Sequence, residues 1–110
     1  VTLRPPFIYG PENPYYREAF FWDRLRAGRP LILPGDGRRL MQFAYVHDLV
    51  WACLRVMEEP GAVGHAFNIA NPRPVSQEEA LDAFAEACGK KPQVVRIPRQ
   101  WIIRMGGHPM

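Results

Sequence analysis

The stretch Ile32–Leu40, ILPGDGRRL, sets an apolar run against a G-x-G and two arginines. Those are the residue types from which a phosphate-cradling loop is built. A dinucleotide-binding loop must leave a strand, reach a third glycine and open a helix whose N-terminus faces the pyrophosphate. Here the third position is Leu40, and the MQFAYV that follows is a β pattern. The acidic residue expected about 20 residues further on is also missing. The segment therefore reads as a Gly35-Asp36-Gly37 turn joining two strands. Arg38 and Arg39 leave that turn with guanidinium donors suited to an anionic ligand.

The other reactive side chains are dispersed. His47 sits at a strand–helix junction, His65 begins a strand, and His108 lies near the end of the sequence. Glu58-Glu59 and Glu78-Glu79 are sequence neighbours at helix ends, where adjacent side chains do not face each other, and Glu12 stands alone in a loop. Lys90 and Lys91 are the only lysines, and no tyrosine stands four residues ahead of either. No G-x-S-x-G, H-E-x-x-H or P-loop occurs, and no Cys/His spacing fits a metal. Catalysis by these residues alone is not expected.

The 110 residues, 47% apolar and 12% aromatic, suffice for one small globular domain. No apolar run approaches the ~18 residues of a membrane span, and the first residues read as a strand rather than a leader. Cys53 and Cys88 fall in helix-like patterns among apolar neighbours, which predicts buried free thiols in a reducing cytoplasm. The net charge of +3 is uneven: residues 56–89 carry one basic and six acidic side chains, residues 90–110 five basic and none acidic. The basic end suits RNA or an acidic partner; a solvated surface is the plainer alternative.

These residues must be held by alternating strands and helices. VTLRPPFI is a near-continuous apolar run, expected to be a buried strand that ends or splays at Pro5-Pro6, where two ladder donors are lost. YGPENP is a loop. A helix is expected over 15–27, with Tyr16–Phe20 and Phe21–Leu25 as i,i+4 pairs, AFFW buried on more than one side, and Gly28 as the stop. PLILP and RLMQFAYV are strands flanking the turn. A helix over 48–59 follows, with Asp48 as N-cap and Leu49, Cys53, Val56 and Met57 on one face. HAFNIA, residues 65–70, is a strand. Ser76-x-x-Glu79 is a capping box opening a helix that buries Leu81, Phe84 and Cys88 and stops at Gly89. QVVRIP, residues 93–98, is a last strand.

Five motifs in order carry a resemblance: R-P-x-x-I-Y-G-P from Arg4, then P-G-D-G, F-x-Y-V-x-D-L-x-x-A from Phe43, F-N-I-A-N from Phe67, and S-x-x-E from Ser76. Over roughly residues 2–98 the chain resembles the C-terminal part of extended short-chain dehydrogenases/reductases, the NAD-dependent epimerase/dehydratase family. FFWDRLRAGRPLILPGDGRRL is most similar to the atypical branch that includes chloroplast stem-loop RNA-binding proteins. The resemblance implies an α/β fold: a late strand of a Rossmann-like sheet in residues 1–10, a small mixed α/β substrate-binding lobe in 11–98, and a basic tail in 99–110. It also implies that the chain is a C-terminal fragment. The Gly-rich loop and Tyr-x-x-x-Lys pair, which hold NAD or NADP and move the proton, belong upstream. The apolar edge of VTLRPPFI is then left open, and self-association through it is expected.

By resemblance, Pro5 and Pro6 wall the nicotinamide. Phe7, Tyr9 and Met41 face the substrate, with Arg38 and Arg39 meeting it from the turn. Gly10 leads into the lobe, Asp48 caps a helix, Asn68 bonds to neighbouring backbone, and Tyr45 belongs to the core. The implied partners are a small-molecule substrate of the nucleotide-sugar kind, the N-terminal half of the same chain and a second copy; RNA is the alternative, and no membrane is implied. Two positions depart from the nucleotide-sugar pattern. Asn is common where this chain has Phe7, and Arg is common where it has Met41. An apolar side chain cannot hydrogen-bond a diphosphate, so either Arg38 or Arg39 substitutes or the substrate is not a standard nucleotide sugar.

Overall fold

The computed structural model describes residues 1–107, so His108 and the last residues of the basic 99–110 segment lie outside the described residues. The chain forms two compact units, each made of two separated stretches.

The first unit comprises Val1–Tyr15 and Met41–Pro74. Its strands are β1 (Thr2–Arg4), β2 (Phe7–Tyr9), β5 (Phe43–Tyr45) and β6 (Ala66–Asn68). β1 pairs in parallel with β6, Leu3 opposite Phe67. β2 pairs in parallel with β5, Phe7 opposite Phe43 and Tyr9 opposite Tyr45. The expected single strand over VTLRPPFI is thus two short ones on different partners. Neither proline has an N–H, so the ladder breaks at Pro5-Pro6 and resumes where the Phe7 amide donates to Gln42 O at 3.3 Å. Gly10 ends β2 at φ +132°, where a Cβ would lie 2.7 Å from Val46 Cγ1 and 3.0 Å from Tyr45 Cε2; only glycine fits.

Helix α2 runs Val46–Glu58. The N-cap position is the extended Tyr45, with no side-chain cap, so Asp48 is not the N-cap. It lies in the first helical turn, where the helix dipole still favours its charge. The face predicted to be buried is only partly so: Leu49 and Val56 are half-buried, Cys53 is exposed, and Met57 is 79% exposed. The expectation of two buried thiols therefore fails: Cys53 is exposed and Cys88 only half-buried, and both cysteines are free. A 3₁₀ turn, Pro60–Ala62, leads to β6.

The second unit comprises Tyr16–Leu40 and the chain from Val75 onward. Helix α1 spans Glu18–Arg26, three residues shorter at its start than expected. Tyr16 stays outside it, its ring edge-on to Phe20 at 6.3 Å. Its hydroxyl donates to Asp23 Oδ2 at 2.6 Å, and that hydrogen bond, more than slight desolvation, holds the phenol above its ordinary pKa. Helix α1 buries one side rather than several, since Phe20 remains exposed. β3 (Leu31–Pro34) pairs in parallel with β8 (Val94–Ile97), not with the strand that follows it. The stretch expected as one strand after the turn divides into β4 (Leu40–Met41) and β5, and β4 pairs with β7 (Val75–Ser76).

Helix α3 spans Gln77–Ala87, and its capping box is complete: Glu79 N donates to Ser76 Oγ at 3.1 Å and Ser76 N to Glu79 Oε2 at 2.6 Å. Leu25, Leu31, Leu81 and Ala85 form the core, with Phe21, Trp22, Phe84 and Cys88 packed against it. Phe21 stacks on Phe84 at 5.2 Å between centroids. Residues expected as part of a basic tail form α4, Arg99–Arg104, where the Arg104 guanidinium lies over Trp101. No helix among the described residues is long and apolar enough to cross a membrane.

Candidate functional site

In the first unit, the parallel register of β2 and β5 puts two F-x-Y triplets side by side, Phe7-Ile8-Tyr9 and Phe43-Ala44-Tyr45. Strand side chains alternate between faces, so Ile8 and Ala44 share one face and the four aromatic residues the other. Ala44 is buried, 2% exposed. The rings form a continuous row. Phe7 and Phe43 meet edge-on at 6.0 Å and Tyr9 and Phe43 at 5.8 Å; Tyr9 and Tyr45 are tilted at 5.4 Å, and His47 continues the row, also tilted, at 5.0 Å from Tyr45. Such edge-to-face contacts are favourable and keep the rings ordered. Phe7, at one end of the row, is 40% exposed.

Pro5 and Pro6 stand immediately before this row, Pro5 half-buried and Pro6 exposed. Without N–H groups they offer aliphatic ring surface and carbonyl acceptors but no backbone donor. Met41 is half-buried on β4. Gln42, between Met41 and Phe43, is tied to the loop after β6, its Nε2 donating to Asn71 O at 2.7 Å. Asn68 is exposed on β6, opposite Arg4.

Arg38 and Arg39 belong to the second unit, and both are exposed. Their turn is tightly held. Gly35 N donates to Ile97 O at 2.8 Å, Gly37 N to Pro34 O at 3.2 Å, and Arg38 N to the Asp36 carboxylate at 3.0 Å. Gly37, at φ +74°, is buried, and a Cβ there would lie 2.6 Å from Leu33 Cδ2. The turn also consumes the amides that open α3: Gln77 N donates to Arg39 O and Glu78 N to Gly37 O, while Glu79 N goes to Ser76. A helix N-terminus binds an anion through unsatisfied amides, and these are satisfied. That is the physical reason the G-x-G here is not a pyrophosphate loop.

Two members of this arrangement escaped the sequence reading. Arg96, on β8, donates from Nη1 to Asp36 O at 2.7 Å and from Nη2 to Glu78 Oε1. The lone cation in VVRIP was its only local signal. The aromatic row was likewise missed, although the repeated F-x-Y was a visible clue; Tyr45, expected in the core, is half-buried within it. Among the described residues no cluster of three His, Cys, Asp or Glu side chains is placed to hold a metal ion.

The parallel strand pairs and the helices between them make a mixed α/β chain of the Rossmann-like class that epimerases share. Residues 1–70 match the model of the NAD dependent epimerase/dehydratase family, and the chain belongs to that family. It is 38% identical over 90 residues to the chloroplast stem-loop binding protein of 41 kDa b of Arabidopsis thaliana, covering 82% of this chain and 23% of that protein. Among solved structures, it resembles the UDP-glucose 4-epimerase of Thermotoga maritima with UDP-glucose (TM-score 0.72, 30% identity, 87% of this chain and 32% of that one). The epimerase Mth375 of Methanothermobacter thermautotrophicus is similar at TM-score 0.74 and 26% identity, over 88% of this chain and 30% of that one. The chain thus spans roughly a quarter to a third of the length of these proteins, 23% to 32%.

Proposed function

We propose that this chain is the substrate-binding C-terminal portion of an NAD(P)-dependent epimerase/dehydratase-type oxidoreductase or isomerase. The observation that carries the reading is the family match, joined to similarity to an epimerase solved with UDP-glucose. Residues 1–10, with β1 and β2, act as the late-strand part of the cofactor-binding sheet, 11–98 as the substrate lobe, and 99–110 as a basic extension. Pro5 and Pro6 wall the nicotinamide, while the Gly-rich loop and Tyr-x-x-x-Lys pair of the whole enzyme hold NAD or NADP and carry the proton transfer. Phe7, Tyr9 and Met41 present an apolar and aromatic surface to the substrate. Arg38 and Arg39 are cationic donors of the kind that binds a diphosphate; without their engagement the substrate is not a standard nucleotide sugar. The 110 residues alone do not turn over substrate. The free thiols suit a reducing compartment, the cytoplasm, and a second copy is the expected protein partner.

The test is binding and turnover by the full-length protein with NAD or NADP and UDP-glucose, dTDP-glucose and UDP-glucuronate. Conversion of any one of them, lost from the 110-residue chain, supports the reading. A full-length protein that binds no dinucleotide refutes it.

One observation favours a second reading, RNA binding through the basic surface: the 38% identity to a stem-loop binding protein. Such binding weakens steeply with salt, because neutralising phosphates releases counterions. A stem-loop RNA titrated at 50 and 200 mM salt tests it. Affinity in the nanomolar to micromolar range that falls by orders of magnitude supports it; no binding at the lower salt removes it.

A further inference from the structure

We infer that Arg96 is a positioning residue for the Gly35–Arg39 turn: by tying Asp36 O to Glu78 at the start of α3, it fixes the backbone from which Arg38 and Arg39 project. The inference rests on the proposed reading of Arg38 and Arg39 as ligands of a diphosphate.

Arg96 lies 60 residues from the turn in sequence, yet its guanidinium bridges two elements. Nη1 takes the carbonyl of Asp36 at the turn's apex, and Nη2 takes the carboxylate of Glu78 in the first turn of α3. Both ionic side chains are about half exposed, at 46% and 47%, so the ion pair by itself contributes little in water. Its value is directional. A planar fork holds two acceptors at a set separation, which a lysine ammonium on a flexible stem does not do. The backbone of the turn is already pulled toward the same elements by Gly35 N to Ile97 O and Glu78 N to Gly37 O. Gly37 permits the approach, since a Cβ there would stand 3.3 Å from Arg96 Nη1 and collide with Leu33. Arg38 and Arg39 follow directly on this locked segment.

A mobile turn must lose backbone freedom when it meets an anion, and that cost weakens binding. A turn fixed beforehand does not carry that backbone cost. Arg96 therefore acts on affinity for the diphosphate without touching it.

The experiment uses the full-length protein and UDP as probe, read by calorimetry, alongside NAD affinity, the thermal midpoint and amide hydrogen exchange at Arg38 and Glu78. Arg38→Ala/Arg39→Ala is expected to weaken UDP binding by tenfold or more. Arg96→Met is expected to weaken it by about tenfold, the size of the ordering cost of one backbone residue regained by the turn. It should speed exchange at the two turn-linked amides and leave NAD affinity unchanged. Arg96→Lys, able to reach only one acceptor, is expected to fall between. A residue that merely supported the fold would move NAD affinity and the thermal midpoint together with UDP. If the double arginine variant binds UDP like the native protein, the phosphate reading fails and the inference with it. If that variant loses UDP while Arg96→Met and Arg96→Lys keep it, the phosphate reading stands and the clamp is overturned. Unchanged exchange at Arg38 and Glu78 overturns the clamp whether or not UDP binds, and Arg96→Lys carries the same comparison if Arg96→Met does not fold.

Discussion

The two units bury very different things. In the second, the innermost residues are Leu25, Leu31, Leu33 and Leu81, with Ala80 and Ala85 beside them. In the first, only alanines reach that depth: Ala44, Ala52 and Ala62. Its large apolar residues stand outward instead, among them Val50, Trp51 and Leu54 on α2, each more than half exposed, and Val63 at 74%. Burial of a leucine contributes a few kcal/mol and burial of an alanine methyl much less. The second unit therefore carries its own hydrophobic stabilisation. The first depends on its strand ladders and on glycine-permitted close approaches, and its apolar surface is suited to being covered.

The contrast is most sharply broken at Leu31, 1% exposed. Leu31→Ala should cost about 3 kcal/mol through lost burial and the cavity left behind, read by urea denaturation of the chain. Trp51→Ala or Met57→Ala should stay within roughly 0.5 kcal/mol in the same assay. Equal losses at Leu31 and Trp51 would erase the distinction between the units. Next in size are the two close approaches, one in each unit. Gly37→Ala and Gly10→Ala should each cost on the order of 2 kcal/mol, since positive φ and a Cβ clash add. A cost below about 0.5 kcal/mol at either would show that its neighbours yield.

The capping box gives a smaller and more local effect. Ser76→Ala should cost about 1 kcal/mol and lower hydrogen-exchange protection chiefly at the start of α3. Loss spread evenly over both units would mean they unfold as one.

The smallest effect is expected at Tyr16. Its contact with Asp23 needs the protonated phenol, and its folded pKa is raised from the ordinary 10.0. The contact is intact below pH ~10 and is lost as pH rises through the raised value. In an ultraviolet pH titration one phenol should ionise later than it does in the unfolded chain, and Tyr16→Phe should remove that late step. An unchanged profile in Tyr16→Phe would leave Asp23 without influence on the phenol.

Legibility followed the range of the interactions. The capping box, the β8 strand, the stop at Gly28 and the break at Pro5-Pro6 each depend on a few neighbouring residues, and each was readable from them. Helix starts were less so: Asp48 has the chemistry of an N-cap, but Tyr45 takes that place because β5 runs directly into α2. The partner of β3 was not readable at all. A turn between two strands reads locally as a hairpin, yet β3 pairs with a strand some 60 residues away. The candidate site shows the same division. Pro5, Pro6, Phe7, Tyr9, Arg38, Arg39 and Met41 were singled out from local motifs and a family resemblance. Phe43, Tyr45 and His47 as a row, and Arg96 beside the turn, were not.

The sequence alone determined the alternation of strands and helices, the three longer helices, the glycine and proline punctuation and the family. Those are properties of adjacent residues, set by backbone sterics, missing amides and short-range capping. Only the tertiary structure decided that β2 and β5 align their F-x-Y triplets, and that Arg96 reaches Asp36 and Glu78. It alone decided that Cys53 and Met57 face outward. Register, long-range hydrogen bonds and burial depend on which distant segments meet, and the order of residues along a chain does not state that.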